Sequence, residues 1–474
     1  HMRHDEDANV TKYGAFYSRI MSLYTKYATE LSFYEPEMAA LDEEYLNSLI
    51  SDSRFADYDY DLKRIIARKP HVASREEERL VGMSGEILEN FYDSFSAIDT
   101  LDLPLPEIEW NGEMTTLTHG LYGIILHSSD RAKREEAYNK YYGAYTSLIN
   151  VLTSVYKGNV KKDVFLSRVY KFKTCLEQAL FSEDVDRAVY DNLIAAVDEH
   201  LPSMHRYISD RKKILGYDKL YFYDIYAPLV KGVDVNYSYD EAYKLVIEGL
   251  APLGKEYQQL LKRGYDERWI DVEETEGKRG GAYSTGCYGV HPYVLLNYQP
   301  TLNEVFTIAH EMGHSIHTWF SQNNQPFSKS QYKIFVAEVA STVNETLLLK
   351  YMLKKAEDVN LKKYLLNYYL DSIRATLHRQ TMFAEFENAA HNMAERDEPL
   401  TKEALCGIYA EIGKKYYGED IEHDYNISCE WTRIPHFYRA FYVYKYATGI
   451  TAAINIAKRI LTEGEPAVKE YFNF

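Results

Sequence analysis

Two histidines four residues apart, with a glutamate directly after the first, form the stretch of this sequence best suited to chemistry. His310, Glu311 and His314 lie in "TIAHEMGHSI", residues 307–316. The surrounding segment predicts a helix over 302–320. Residues four apart lie on one face of a helix, so the two imidazoles can bind a single cation. The spacing is typical of a catalytic zinc site.

Glu311 is suited to a different task from the two histidines. It is rotated by about 100° from His310 around the helix, so it flanks a metal instead of ligating it. Zinc lowers the pKa of a bound water towards ~7, and a nearby carboxylate can then accept the proton. Glu311 is therefore our candidate general base. The alternative is an ordinary helix with two surface or hydrogen-bonded histidines, which three fixed letters do not exclude.

A catalytic zinc needs a third protein ligand and one open position. The apolar segment "KIFVAEVASTVNETLLLKYML", residues 333–353, predicts a helix with Glu338 and Glu345 on one face. An unpaired carboxylate on a buried helix is costly, so each needs a partner. We interpret Glu338 as the third ligand and Glu345 as acceptor for the second N–H of a ligating histidine. A salt bridge to an arginine elsewhere is the alternative for either, and His317 is interpreted as a pocket or packing histidine.

Phenol and imidazole groups recur in "WTRIPHFYRAFYVYKYATGITAAINIAKRI", residues 431–460. We expect a helix to begin after the proline, with His436 near its N-terminus. Tyr438, Tyr442 and Tyr446 then recur every four residues on one side. Such a stripe is more often core than catalytic, yet buried hydroxyls need partners, and a wet cleft would supply them. Tyrosine and histidine can both donate to the oxyanion that develops in peptide hydrolysis.

The elements that must position these groups are mainly helical. Apolar residues recur at spacings of three and four in 43–52, 74–95, 131–156 and 185–215. Two segments interrupt this pattern. Residues 101–120 contain a Trp-Asn-Gly turn that predicts a short hairpin, and 276–300 contain clustered glycines followed by the best strand candidate, "YVLLNY". We place a domain boundary at the first break, giving an N-terminal helical lobe over 1–108 and a catalytic helical domain over 109–474.

The amino-acid composition limits the classes of molecule that this protein is expected to bind and indicates where it is located. The net charge of −17 argues against nucleic acid and anionic membranes, because both favour clustered lysine and arginine. The 45 tyrosines can cover apolar surface while keeping hydroxyls for hydrogen bonds, as in a wet cavity. Four widely spaced cysteines and the lack of an apolar leader or a ~20-residue apolar run predict a cytoplasmic protein without a signal peptide or membrane span. The first two residues are interpreted as a cloning remnant.

Five segments together resemble a known family. "GKRGGAYSTGCYGVHPYVLLNY", "HEMGHSIH", "FVAEVASTVNE", "ATLHRQTMFAEFE" and "RIPHFYRAFYVYKYATG" are similar to the oligoendopeptidase F branch of the thimet oligopeptidase-like zinc metallopeptidases. The likeness is strongest over 206–450. The resemblance implies a mainly α, prolate fold with a deep central channel and a very small β-sheet near the zinc site. It implies a zinc endopeptidase that cleaves short peptides, because the channel excludes folded proteins.

The resemblance also assigns roles to residues. His310, His314 and Glu338 would ligate one zinc ion, and Glu311 would act as general base. His436 and a tyrosine after it would stabilise the tetrahedral intermediate, with Tyr442 preferred over Tyr446. The strand segments around 282–298 would supply an edge along which the substrate backbone extends, beginning at Gly281, Ala282 and Tyr283.

Several alternatives stay open at this point. A dipeptidyl carboxypeptidase or other metallocarboxypeptidase of the same architecture would need a cation for the substrate's terminal carboxylate, and the sequence does not place one. An inactive peptide-binding scaffold is a further alternative, as is a purely structural helical protein. Family members of this branch begin earlier and extend beyond "EYFNF", so we expect both ends to be truncated. The sequence allows a monomer or a homodimer.

Overall fold

The computed structural model describes residues 1–31, 33–230 and 236–474, and most of them are helical. None of the helices in this part of the chain combines the length and the apolar character that crossing a membrane requires. The α-helices in chain order are α1 Met2–Glu6, α2 Thr11–Glu30, α3 Tyr34–Ala40, α4 Glu43–Ser51, α5 Asp59–Arg68, α6 Arg75–Ala97, α7 His119–Leu126, α8 Arg131–Ser147, α9 Ile149–Val169, α10 Cys175–Glu183, α11 Arg187–Leu215, α12 Tyr239–Gly249, α13 Lys255–Asp266, α14 Leu302–Asn324, α15 Ile334–Lys355, α16 Val359–Ile373, α17 Arg379–Glu395, α18 Lys402–Tyr417, α19 Tyr425–Ser428, α20 Tyr444–Glu463 and α21 Glu465–Phe472.

Short helices of other types connect these elements. Two π-helical turns span Ile98–Asp102 and Arg374–His378. The 3₁₀ helices are Ser53–Tyr58, Lys69–His71, Phe222–Asp224, Ala251–Leu253, Phe327–Lys329, Glu430–Arg433 and Pro435–Tyr438. The prediction of a mainly α fold is confirmed, although the helix predicted over 131–156 is divided at Leu148 into α8 and α9.

The predicted hairpin is confirmed at the first break in the helical pattern. Strands β1 Glu107–Trp110 and β2 Glu113–Thr116 pair antiparallel, with Trp110 opposite Glu113. The two residues between them, Asn111 and Gly112, have φ angles of 53° and 86°. Two successive left-handed residues form the turn that matches the twist of a two-residue hairpin, which asparagine and glycine adopt most readily.

A small three-stranded sheet precedes the helix that carries the histidine pair. It consists of β3 Ile270–Asp271, β4 Tyr283–Thr285 and β5 Tyr293–Leu295, in the order β3-β5-β4. Strand β5 lies in the middle, parallel to β3 and antiparallel to β4. The predicted strand "YVLLNY" therefore exists, although β5 spans only its first three residues. The backbone N–H groups of Leu296 and Tyr298 continue the hydrogen bonding to the Asp271 and Val272 carbonyls. Within the described part of the chain, β4 pairs on one side only and is an edge strand.

The chain divides into two compact units that alternate along the sequence. The first unit contains His1–Val72, the chain from the end of the undescribed segment to Leu365, and Gly449–Phe474. The second unit begins at Ala73, runs to the undescribed segment, and continues over Leu366–Thr448. The division at residue 108 that we expected from the first break in the helical pattern stays a prediction.

In the first unit, α14 is the central helix. It packs against α12 and α15, and the sheet lies against it through β4 and β5. Its buried apolar side chains repeat with the helical period and anchor it on these neighbours; they are Leu302, Val305, Phe306, Ile308, Ala309, Met312 and Ile316. A helix surrounded in this way holds its remaining polar side chains in fixed positions.

In the second unit, tyrosine is a core residue. Several tyrosines are almost completely inaccessible there, namely Tyr138, Tyr142, Tyr145, Tyr156, Tyr190, Tyr416 and Tyr444. Some of their hydroxyls have protein partners: that of Tyr138 donates to Asp424 at 2.9 Å and that of Tyr190 to the Ala384 carbonyl at 2.8 Å. Among the described residues, the hydroxyls of Tyr156 and Tyr416 have no hydrogen-bond partner. The abundance of tyrosine thus reflects a partly hydrogen-bonded core in addition to any wet cavity.

The prediction of a continuous helix after Pro435 is wrong. A 3₁₀ turn over Pro435–Tyr438 ends at Arg439, Phe441 has a left-handed φ of 58°, and α20 begins only at Tyr444. A left-handed non-glycine residue costs roughly 1–2 kcal/mol. Burying a phenylalanine side chain is worth roughly 1.5–3 kcal/mol, and the Phe441 ring is 2% exposed. It packs 4.8 Å from the His391 ring, so tertiary burial outweighs the local helical preference.

Candidate metal centre

Helix α14 places His310 and His314 on one face. It begins at a cap in which the Thr301 hydroxyl accepts the Glu304 backbone N–H, and it continues without interruption past both histidines. Regular helical geometry then stacks residues four apart one turn above each other. The predicted helix and its histidine pair are therefore found, and the cap is threonine.

The approach of α15 to α14 depends on a glycine between the two histidines. A Cβ atom on Gly313 would lie 2.5 Å from the Ser341 Cα, which is backbone that cannot rotate away. Buried Asn344 fastens the pair further, because its Nδ2 donates to the Ala309 carbonyl at 3.0 Å. The Tyr257 hydroxyl donates to the Asn344 Oδ1 at 2.9 Å. The sequence did not predict these contacts; its only signal was a glycine inside a helix.

Close packing brings the predicted third ligand to the histidine pair. The His310 Nε2 lies 3.1 Å from the His314 Nε2 and 3.4 Å from the Glu338 Oε2. The His314 Nε2 is 3.8 Å from the same carboxylate oxygen. Among the described residues, these three form the one group of His, Cys, Asp or Glu side chains whose ligand atoms converge within 4.8 Å. Glu338 was expected to be buried, and it is half-buried.

Glu345 lies where a supporting carboxylate was predicted. Its Oε1 accepts a hydrogen bond from the His310 Nδ1 at 2.6 Å. That bond places the proton of a neutral imidazole on Nδ1 and leaves Nε2 free to bind a cation. The Ser341 hydroxyl, 3.4 Å from the Glu338 Oε2, restrains the other carboxylate. Both glutamates of α15 therefore hold positions relative to His310 that fit their predicted roles.

The charges of the cluster favour a cation. Burial lowers the pKa of His310, but the hydrogen bond with Glu345 and the nearby Glu311 and Glu338 outweigh it and raise the pKa to about 9. For His314, burial and the His310 charge lower the pKa to about 3, so its nitrogen is unprotonated. The carboxylates around His310 thus attract a positive charge to its Nε2, and the His314 nitrogen offers a lone pair. A divalent metal satisfies both conditions at once.

Glu311 lies on the adjacent face of α14 and is more deeply buried than the three candidate ligands. Its side chain is 7% exposed, and its Oε2 has no hydrogen-bond partner. Burial raises its pKa to about 7; the His310 charge opposes this and the neighbouring glutamates add to it. A carboxyl group with a pKa near neutrality can both accept and return a proton at physiological pH.

The predicted substrate edge lies in the same unit. Tyr283 is the first residue of β4, whereas Gly281, with a φ of 85°, and Ala282 lie just before it. The side chain of Asn297 donates to the Gly281 carbonyl at 2.8 Å, which fixes the approach to the strand. The Ser284 and Ser315 hydroxyls, 2.8 Å apart, connect β4 to the histidine helix.

His317 has no part in the cluster. Its ring stacks on Tyr332 with centroids 3.8 Å apart, and burial lowers its pKa to about 4. Of the two interpretations of His317, as a pocket or as a packing residue, this stacking fits the packing residue.

The second unit gathers three of the other predicted residues. The His436 ring lies 6.1 Å from that of Tyr442 and 5.9 Å from that of Tyr446, and the two phenol rings are 5.3 Å apart. The Tyr446 hydroxyl is 3.4 Å from the His436 Nε2. Tyr438, expected in the same stripe, instead is buried and stacks on Phe95 at 4.4 Å. The break after the 3₁₀ turn separates it from the half-buried trio.

The His436 imidazole is neutral in this environment. Burial lowers its pKa, and the positive charges of Arg379 and Arg439 lower it further. A neutral histidine can donate one N–H to a developing negative charge while a neighbouring hydroxyl supplies another donor.

Comparisons with known proteins find similar peptidases. Residues 124–473 match peptidase family M3, and residues 37–104 match the oligopeptidase F family. The chain is 42% identical to oligopeptidase PepF from Bacillus subtilis, covering 100% of this chain and 71% of that protein. It is 41% identical to group B oligopeptidase PepB from Streptococcus agalactiae, covering 100% and 79%. The crystal structure of oligoendopeptidase-F from Enterococcus faecium superposes with a TM-score of 0.78 at 34% identity, covering 100% and 80%.

Proposed function

Because this chain belongs to peptidase family M3 and is a metalloendopeptidase of the oligoendopeptidase F group, we propose that it hydrolyses internal bonds of short peptides with one zinc ion. His310, His314 and Glu338 would hold the ion. The relatives named above are oligopeptidases, which supports peptides as substrates. The four cysteines are free thiols, which supports a cytoplasmic location.

The convergence of the three ligand atoms is the observation that carries the proposal. Ligands about 2.05 Å from a tetrahedral zinc stand roughly 3.3 Å from one another. The three separations between the His310, His314 and Glu338 atoms are 3.1, 3.4 and 3.8 Å. Two imidazole nitrogens and one carboxylate oxygen are a donor set that zinc accepts, and they leave a fourth position open.

Two further residues, Glu311 and Glu345, would transfer the proton and orient a ligand. A bound zinc would polarise the scissile carbonyl and make water acidic enough to lose a proton near neutral pH. Glu311 accepts that proton on its unpartnered Oε2 and returns it to the leaving amine. Glu345 holds the His310 ring in the orientation and tautomer that binding requires.

We propose further that His436 and Tyr442 donate hydrogen bonds to the developing oxyanion, with Tyr446 as the second choice of phenol. The neutral state of His436 and its grouping with both tyrosines support this role. For the substrate backbone we propose the edge strand that begins at Tyr283, with Gly281 and Ala282 leading into it, because its unpaired side offers backbone hydrogen bonds to an extended peptide.

The test replaces the proposed base while keeping the metal site. The Glu311→Gln variant should retain one zinc per chain and lose activity on an internally quenched peptide by roughly 10³-fold, because the proton acceptor is removed. Glu304→Gln, in the first turn of the same helix, is the matched control and should keep full activity. An unimpaired Glu311→Gln enzyme would overturn the mechanism.

The same assay separates the remaining functional alternatives. A substrate with both termini blocked should be cleaved as fast as one with a free C-terminus, because an endopeptidase does not need the terminal carboxylate. Cleavage of the free-terminus peptide alone would identify a carboxypeptidase. Metal binding without turnover of either peptide would identify a peptide-binding scaffold.

A further inference from the structure

A small cavity inside the second unit is lined by charged groups that the proposed chemistry does not use. Arg374, Arg379 and Arg433 contribute three guanidinium groups to its wall, and Glu430 contributes the single carboxylate. Five tyrosines, including Tyr226, and the apolar side chains of Phe222, Ile225 and Ile427 complete the lining. The enclosed space is ≈ 20 Å³, which is enough for one water molecule or one monatomic ion.

Two of the arginines share one counter-charge. The Glu430 Oε1 accepts hydrogen bonds from the Arg379 Nη2 at 2.6 Å and from the Arg433 Nη2 at 2.8 Å. Burial would raise the pKa of Glu430, but both guanidinium charges outweigh burial and lower it to about 2. The carboxylate is therefore ionised, and it supplies one negative charge for two positive ones. The pair of arginines keeps an excess of positive charge.

The third arginine is incompletely hydrogen-bonded although it is buried. Arg374 is 3% exposed, and its Nε donates to the Asp371 Oδ1 at 3.2 Å. Its Nη1 has no partner. Asp371 is itself shared, because it also accepts the Tyr207 hydroxyl at 2.7 Å. A buried N–H of a charged group without an acceptor is costly, so an acceptor inside the cavity would be stabilising.

The pKa of the Tyr226 phenol indicates the same excess of positive charge. Burial raises the pKa of a phenol, but the charges of Arg379 and Arg374 outweigh burial and hold the pKa of Tyr226 below its usual value. The Arg374 guanidinium lies 5.0 Å from the Tyr226 ring centroid. The cavity thus has the positive potential that favours an anion.

The local helix geometry is also unusual. Arg374 begins the π-helical turn Arg374–His378, and Arg379 is the first residue after it. A π turn widens the helix by one residue and re-aims its side chains, and such turns are frequent at functional sites. Here the turn places both guanidinium groups at the cavity.

We propose that this cavity binds one halide ion, chloride in the cell. A monatomic anion fits the space, whereas phosphate, sulfate and carboxylates do not. It would accept the unpartnered N–H of Arg374 and offset the charge that Glu430 leaves uncompensated. Because Glu430 and Arg433 form the 3₁₀ turn directly before Pro435–Tyr438, the ion stabilises the segment that carries His436. The site does not depend on zinc or on the proposed hydrolysis.

The direct test locates the ion. Crystals of the full chain grown with sodium bromide should show an anomalous peak at the bromine edge between the Arg374, Arg379 and Arg433 guanidinium groups. A feature that scatters as water in both bromide and chloride crystals would overturn the proposal.

A solution test measures the contribution of the ion to stability. At constant ionic strength, exchanging sodium gluconate for sodium chloride should raise the melting temperature of the wild type by about 2 °C, since an ion that binds only the folded state stabilises it. Arg374→Gln should lose this increase, and Arg374→Lys should keep part of it. Arg396→Gln is the matched control, because Arg396 is an exposed arginine of the same unit that pairs with Glu398.

If Arg374→Gln does not fold, a second variant still tests the proposal. Tyr226→Phe keeps every charge and removes one hydroxyl from the wall, so its chloride-dependent increase should shrink. An equal increase in wild type, Arg374→Gln and Tyr226→Phe would contradict the site. Because neither readout is activity, these results are independent of whether the zinc mechanism holds.

Discussion

His310 and His314 of the candidate metal site and His436 of the second unit are held in position in different ways. His310 and His314 lie on one uninterrupted helix that places them on the same face, and their Nε2 atoms are 3.1 Å apart. His436 lies on a four-residue 3₁₀ turn, and its tyrosine neighbours follow a break in the chain. Regular structure fixes the first arrangement, whereas burial of particular side chains fixes the second.

The break in the helix after Pro435 is what brings His436, Tyr442 and Tyr446 together. On a continuous helix Tyr438, Tyr442 and Tyr446 would form one stripe. The left-handed Phe441 instead directs Tyr438 into the core against Phe95 and leaves Tyr442 and Tyr446 beside His436. Residues that a helical pattern would treat as equivalent therefore differ in exposure and in partners.

The largest expected effect concerns the helical site. Glu338→Gln should weaken zinc binding more than 100-fold, because loss of a hydrogen-bonded supporting group alone weakens metal affinity about 10–100-fold and this change removes a ligand charge. Peptidase activity should fall in parallel and recover at high zinc concentration. Metal content after dialysis measures the effect, with Glu304→Gln as control. Wild-type zinc content in Glu338→Gln would show that α15 supplies no ligand.

The next effect concerns the irregular segment. Tyr442→Phe should lower kcat by roughly 10²-fold with little change in KM, since it removes one donor to the oxyanion, and Tyr446→Phe should have the smaller effect. Tyr438→Phe is the control, because that ring packs on Phe95. Zinc content should stay constant in all three. A larger loss for Tyr446→Phe would reverse the assignment, and no loss in either would remove the phenols from the mechanism.

A third prediction compares two glycines. Gly313→Ala should destabilise the protein by about 1–3 kcal/mol, because the new methyl group overpacks against the Ser341 backbone. Zinc affinity should fall with it as α15 shifts. Gly407→Ala, at an exposed position of α18 with nothing within 4 Å of the added Cβ, should be neutral or stabilising. Chemical denaturation measures both, and equal effects would mean that helix contact does not position Glu338.

The smallest effect is a pH dependence beneath the irregular segment. Glu387 is fully buried with both carboxylate oxygens unpartnered, and burial raises its pKa from 4.5 to about 8, with the His391 charge opposing. A raised acid pKa means that stability is lost as pH rises through this window, because only the unfolded state is then ionised. Glu387→Gln should therefore gain roughly 2–4 °C in melting temperature over wild type between pH 5 and pH 8.

The control for this pH dependence is Glu411→Gln, which changes an exposed glutamate of the same unit. It should follow the wild type at every pH. A constant difference between Glu387→Gln and wild type would show that Glu387 is ionised in the folded protein.

The contrast also explains what the sequence was able to predict. Helical period and the cost of a carboxylate in an apolar helix led to His310, His314, Glu338 and Glu345, because each lies on a regular helix. The same period failed after Pro435, since the left-handed Phe441 is stabilised by contacts with residues distant in sequence.

Contacts between elements were also beyond local patterns. The role of Gly313 depends on where Ser341 lies, and that of Asn344 depends on the Ala309 carbonyl. A glycine or an asparagine within a helix does not by itself indicate which residue it contacts. The unpartnered Nη1 of Arg374 and the π turn that positions this residue were also not predictable, because a π turn interrupts a helix without a distinctive residue.

The central claim is that His310, His314 and Glu338 bind one zinc ion beside Glu311. Diffraction from zinc-loaded crystals on both sides of the zinc absorption edge tests it most directly. We predict a single anomalous peak about 2.0–2.2 Å from the Nε2 atoms of both histidines and from a Glu338 carboxylate oxygen. A peak at other residues, or no peak at this cluster in crystals of active zinc-loaded protein, would contradict the account.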